Sequence, residues 1–283
     1  MSTLTVNDKF DEHVTVIRPR RGWIAINWRE LWESRELLYF LMLRDIKVRY
    51  KQTVLGVAWA VLQPVLSMLV FTVIFGQLAK MPSEGFPYAI FVYTGLLPWT
   101  FFSTAVSTSS GSLVNQQALL TKIYLPRLFV PSSAIGSGLV DFAVSFVFFG
   151  CLMAYYGVMP GWGLLAVPAL VALTIVASLG VGLILAAVTV TYRDFRYVTG
   201  FLIQVWMYLS PVIYPVSIVP AKWQWLLALN PMVGIIEATR WSLLSLGPFP
   251  SGPVSISAIV VMILIGTGVF YFRVTEDIAA DIV

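Results

Sequence analysis

Between Leu43 and Pro64, in the run LRDIKVRYKQTVLGVAWAVLQP, a strongly basic segment passes without interruption into an apolar one. Arg44, Lys47, Arg49 and Lys51 come first, and no charged residue follows Lys51 until Lys80. A Lys or Arg at the centre of a bilayer costs roughly 2.5 to 3.5 kcal/mol on insertion scales, so these cations ahead of a charge-free stretch mark where lipid begins. Gly56 to Leu78 is long enough to cross, because about 20 helical residues match a hydrocarbon core about 30 Å thick. Pro64 lies inside that run. At such depth a proline reads as a kink packed on neighbouring helices, not as an end.

Composition assigns the same class. The chain is 58% apolar and 11% charged, with a mean hydropathy of +0.84, against about 25% charged residues in ordinary soluble domains. It reads as an integral membrane protein. A net charge of +4 and a pI near 9.2 would also suit nucleic acid, but the cations gather beside apolar segments, which is how membrane topology is encoded; no nucleic-acid partner is expected. The single cysteine, Cys151, excludes an intrachain disulfide, and the single histidine, His13, leaves no His-based metal site. No metal and no cofactor is expected in this chain.

Met1 to Ile26 is polar, clusters Arg18, Arg20 and Arg21, and has no signal-peptide core; this end is expected to stay in the cytoplasm. Asn27 followed by Glu30 fits a capping box. The helix it would start carries Trp28, Leu31, Trp32, Leu38, Tyr39 and Met42 at helical spacing, as in a helix lying in the headgroup layer. A cytoplasmic helix packed on its own domain is the alternative, with little other soluble mass to pack on. Further spans are expected over Tyr88 to about Ser107, Phe129 to Tyr156 and Leu164 to Thr191, a fifth from near Val198, and a last from Ile256 to Phe272. Of 18 Lys and Arg, only Lys80, Lys222 and Arg240 fall outside on this scheme. The positive-inside rule then gives six crossings with both termini in the cytoplasm.

Ser210 to Pro253 contains seven prolines separated by apolar pieces too short to cross, such as Trp223 to Leu229 and Met232 to Ile236. Such pieces read as re-entrant or interfacial helices, tolerated where buried in protein or lining a cavity. Asn230 and Pro231 make an N-cap with proline at the first helical position. On that helix Glu237 and Arg240 stand three apart and can pair. An outer gate and a cap that only stabilises the bundle are both compatible with this pattern.

Enzyme motifs are missing. No lysine precedes Ser or Thr, so there is no P-loop of the GKS or GKT type, and HExxH, CxxC and GxSxG are also absent. No catalytic residue is assigned. Asp141 is the one acid within a predicted span. An intramembrane carboxylate is a functional candidate, although at about three turns from the cytoplasmic end it can equally pair with a basic residue. Aromatics are plentiful, with 10 Trp, 12 Tyr and 18 Phe. Trp59, Phe101, Phe201, Trp206 and Tyr208 fall inside spans, where they line a channel for sugar rings or pack against lipid and neighbouring helices.

Four motifs together carry a family resemblance: RDIKVRYKQTVLGVAWAVLQP, LLTKIYLPR, YRDFR after the fourth span, and NPMVGIIEATR. The chain from about residue 30 onward resembles the membrane subunit of polysaccharide-exporting ABC transporters, the O-antigen, capsule and teichoic acid branch of the ABC-2 type permeases. The resemblance implies an all-α fold: a cytoplasmic arm and interface helix over 1–52, then a six-span domain over 53–283, with a coupling loop at 115–127 and outer gate helices at 211–253. It implies a homodimer in a bacterial cytoplasmic membrane, bound to two copies of a separate ATPase subunit that holds ATP and Mg. The substrate implied is a lipid-linked polysaccharide. Trp28, Trp32, Arg44 and Lys47 would belong to the interface helix; Leu119, Lys122, Tyr124, Arg127, Arg193 and Asp194 to the cytoplasmic gate; Tyr214, Asn230, Pro231, Glu237 and Arg240 to the outer gate. An ABC-2 permease for a drug or other lipid has the same architecture, while a non-ABC transporter or a membrane-embedded glycosyl- or acyltransferase would need acids or histidines that this chain scarcely has.

Overall fold

The computed structural model describes residues 28–51, 56, 58–122, 125–192 and 194–282, and every regular element among them is helical. In order these are α1 (Trp28–Glu33), α2 (Arg35–Lys51), α3 (Ala58–Phe71), α4 (Tyr88–Ser110), the short α5 (Ser112–Asn115) and α6 (Gln117–Leu120), α7 (Phe129–Tyr156), α8 (Val167–Thr191), α9 (Phe195–Tyr208), α10 (Ala221–Ala228), α11 (Pro231–Leu244) and α12 (Ser251–Ile282). Helix α3 runs on through Pro64 and continues as a π-helical stretch to Leu78, and α8 is preceded by a 3-10 turn from Trp162.

Five of these segments are long and apolar enough to cross a bilayer: Ala58–Leu78, Tyr88–Ser110, Phe129–Tyr156, Trp162–Thr191 and Ser251–Thr275. The fifth expected crossing is different. Helix α9 has 14 residues, about 21 Å of helix, short of a hydrocarbon core of about 30 Å. It stops because Pro211 offers no backbone N–H and disfavours helical geometry in the residue before it.

Helix α4 is the axle of the bundle. It packs against α3, α7, α8, α9 and α11, and the consecutive residues Ile90, Phe91, Val92 and Tyr93 are all buried, as expected of a helix apolar on every side. Tyr93 stacks on Phe149 of α7 with ring centroids 5.9 Å apart. Helices α8 and α12 approach where two glycines meet: a Cβ on Gly268 would lie 2.4 Å from the Gly180 carbonyl oxygen. Small residues permit this backbone contact, the usual device for packing helices in lipid.

The amphipathic helix expected from Asn27 is two helices, broken by a turn at Ser34. Asn27 lies outside the described residues, as does the side chain of Trp28. Of the predicted apolar stripe, Trp32 and Tyr39 are exposed and Met42 meets α7. Trp32 is 70% exposed, while Leu41 is buried and α2 packs against α7, where Gly136 leaves room for Met42.

Candidate functional site

Two polar constructions stand out in this apolar bundle, one at the end of α2 and one at the turn that follows α9. The first borders a cavity of about 580 Å³ between α2, α3, α4 and α7. Its wall combines Trp59, Phe101 and Phe142 with Gln63, Thr100, Thr104 and Ser145, and Arg49, Tyr50 and Asp141 stand at one end. Arg49 Nη1 donates to Asp141 Oδ2 at 2.5 Å, and the Tyr50 hydroxyl donates to Asp141 Oδ1. Burial, followed by the hydrogen bond to Asp141, pushes the Tyr50 hydroxyl above its ordinary pKa, so it remains a proton donor. Ser145, one turn beyond Asp141, donates to the Ala60 carbonyl at 2.9 Å and ties α7 to α3. Asp141 is thus paired with one cation and one hydroxyl from α2, which answers the cost of a carboxylate in an apolar span.

The same helix α2 reaches the connection between α4 and α7. Arg44 Nη2 donates to Gln116 Oε1 at 2.7 Å and also pairs with Asp45, whose Oδ2 accepts from Ser133 Oγ at 3.0 Å. Helix α2 and the connection between α4 and α7, far apart in sequence, are therefore bonded directly. Within that loop Leu119 packs against the cluster of Leu113, Leu125, Leu128 and Val130. Lys122 is exposed after α6, and Arg127 is half-buried at the turn into α7. Lys47 and Asp194 are exposed; Tyr124 and Arg193 lie outside the described residues.

At the second construction the chain from Leu209 to Pro215 is not helical, and the carbonyls of its buried residues need partners. Three consecutive carbonyls are held by side chains. Arg240 Nη2 donates to Val212 O at 2.9 Å, the Tyr88 hydroxyl to Ile213 O at 2.6 Å, and Arg240 Nη1 to Tyr214 O at 3.3 Å. Arg240 is only 4% exposed, and its guanidinium carbon sits 3.8 Å from the centre of the Phe91 ring, a cation–π contact. Gly95 makes this docking possible, since a Cβ there would lie 3.0 Å from Val212 O and 3.1 Å from Arg240 Nη2.

Asn230 completes the clamp. Its Oδ1 accepts from Met232 N at 3.0 Å, capping α11 as its sequence position predicts, and also from Trp206 Nε1 at 2.9 Å. Its Nδ2 donates to Leu209 O at 3.2 Å and Ser210 Oγ at 2.9 Å. Pro231 opens α11. Glu237 and Arg240 act on each other's charge, as their spacing predicts, but share no hydrogen bond: the guanidinium is taken by the two carbonyls and Phe91. Glu237 instead borders, with Glu84, Arg240 and Trp241, a small cavity of about 120 Å³. Tyr214 is half-buried and its hydroxyl approaches Tyr208 O at 3.4 Å.

The five candidate channel aromatics do not share one wall of this protomer. Trp59, 52% exposed, and Phe101, buried against Phe142, meet at the larger cavity. Phe201 and Tyr208 lie on the open face of α9, 67% and 52% exposed. Trp206 turns inward, its ring edge-on to Phe102 at 5.2 Å. Sequence reasoning passed over Tyr88, Gln116 and Ser133. A signal for part of this existed: Ser133, Ser137, Asp141 and Ser145 recur every four residues along an otherwise apolar span, a polar stripe on one face of α7.

Residues 36–244 match the family model described as ABC-2 type transporter. The chain is 35% identical over 212 residues to the O-antigen export system permease protein RfbA of Myxococcus xanthus, covering 74% of this chain and 81% of that relative. It is 26% identical over 209 residues to the RfbA of Klebsiella pneumoniae, covering 72% and 79%. It is also 27% identical over 206 residues to the polysialic acid transport protein KpsM of Escherichia coli, covering 71% and 78%.

Proposed function

Because this multi-pass membrane chain belongs to the ABC-2 type transporter family, we propose that it is the membrane subunit of an ATP-driven exporter that moves a lipid-linked polysaccharide across the bacterial cytoplasmic membrane. The observation that carries the substrate class is the similarity, over about three quarters of the chain, to permeases named for O-antigen and polysialic acid transport. Two permease chains act together with two copies of an ATPase subunit that binds ATP and Mg.

In this reading both termini are cytoplasmic, as the distribution of 15 of the 18 Lys and Arg supports. Helices α1 and α2 are the interface helix, and the connection through α5, α6, Lys122 and Arg127 meets the motor. Helix α9 is the fifth crossing, completed on the outer side by the clamped turn, and α10 and α11 are the outer gate. The aromatic faces of α3 and α9 line a path assembled between two protomers, with Phe201 and Tyr208 offering flat surfaces along which sugar rings slide. The half-buried polar wall around Trp59 lies at the inner end of that path.

The test is export by the permease purified with its ATPase and placed in proteoliposomes, with a radiolabelled lipid-linked glycan on the cytoplasmic face. ATP-dependent protection of the label inside the vesicle is expected. Transport of small amphiphilic drugs with no glycan movement would assign the chain to another branch of the family.

A further inference from the structure

We propose that Asp141 is the acceptor of a joint through which α2 and α7 move as one body when the motor acts, so that force reaches the bundle by side-chain bonds as well as along the backbone. This rests on the export reading above. Asp141 uses both carboxylate oxygens on α2: Oδ2 on Arg49, 92 residues away in sequence, and Oδ1 on Tyr50. A two-point contact fixes the rotation of α2 about its axis, which a single bond does not. Two turns earlier on the same face of α7, Ser133 donates to Asp45 at 3.0 Å, so α2 is gripped at two levels. Arg44 carries the grip to Gln116 of the α4 to α7 connection at 2.7 Å.

The pairing is mutual. The Arg49 and Asp141 side chains are 28% and 26% exposed, and a carboxylate left unpaired in an apolar span is costly; neither helix shifts alone without stranding a charge. One turn beyond, Ser145 is bonded to the Ala60 carbonyl of α3. A displacement of α2 therefore passes through Asp141 to α7 and on to α3, whose Trp59 shares the cavity wall with Asp141.

The experiment uses the permease with its ATPase in proteoliposomes and compares Asp141→Asn, Arg49→Gln and the exchanged pair Arg49→Asp/Asp141→Arg. Each single variant is expected to keep ATP hydrolysis within about two-fold of wild type while glycan moved per ATP falls roughly ten-fold, the scale of an ordinary coupling energy. The exchanged pair is expected to recover a large part of that ratio. An unchanged ratio in both single variants overturns the joint. So does an equal loss of hydrolysis and export with a lowered melting temperature, which would make the pair structural only. If the wild-type complex moves no glycan, the export reading fails, and the joint is decided by nitroxide labels at Val48→Cys and Ala143→Cys in a Cys151→Ala background. Their separation should stay constant between nucleotide states and vary only with Asp141→Asn; a separation that changes with Asp141 intact overturns the proposal.

Discussion

Replacing Asn230 by Ala removes four hydrogen bonds at once, to Met232 N, Trp206 Nε1, Leu209 O and Ser210 Oγ. Loss of an N-cap costs about 1 kcal/mol. The Trp206 indole N–H and the Leu209 carbonyl are then left without their partner, at about 1 kcal/mol each where some water can reach them. Ser210 keeps its bond to the Trp206 carbonyl and adds little. The total is about 3 kcal/mol, or a fall of about 6 to 12 °C in melting temperature for a chain of this size. The assay is thermal unfolding of the detergent-purified protein followed by tryptophan fluorescence, with hydrogen exchange of peptides spanning residues 205–215. Asn230→Ser keeps the cap and loses the other bonds, so it should recover about a third of the loss. A melting temperature unchanged in Asn230→Ala would refute the clamp. Full recovery in Asn230→Ser would show that only the cap matters and that the bonds to the turn contribute nothing.

Gly268→Ala should destabilise by about 1 to 3 kcal/mol, the usual cost of overpacking, because its Cβ would meet the Gly180 carbonyl oxygen at 2.4 Å; Gly266→Ala, two residues away with no atom within 4 Å, is the matched control and should melt like wild type. Trp206→Ala should cost about 3 kcal/mol in thermal stability as a packed and hydrogen-bonded aromatic, whereas Phe201→Ala and Tyr208→Ala, on an open face, should leave stability within about 1 kcal/mol and lower glycan export; the two readouts separate wall from core. Charge reversal with Lys122→Glu and Arg127→Glu should reduce export while leaving dimer formation intact on size-exclusion chromatography, and normal export would remove them from the coupling route.

The sequence by itself determined the class and five of the six expected spans. Burying polar backbone in lipid forces long apolar helices, so charge-free runs such as Gly56 to Leu78 and Phe129 to Tyr156 announce the crossings, and Asn230 with Pro231 announces the start of α11. Local rules read local partners. They fall short where a side chain has a choice between near and far: Arg240 feels the charge of Glu237 one turn away, yet its hydrogen bonds go to two carbonyls of the turn after α9 and its face to Phe91. The turn at Ser34 escaped the helical pattern, which runs on through it without a proline or glycine to mark the break. What only the tertiary structure decided is who meets whom: that Arg49 and Tyr50 of α2 converge on Asp141, that Trp206 turns inward while Phe201 and Tyr208 stay open, and that Gly95 clears the space into which the turn docks. These are contacts between residues far apart in the chain, fixed by how helices of known length pack against α4, and no spacing along one helix encodes the neighbour it will find.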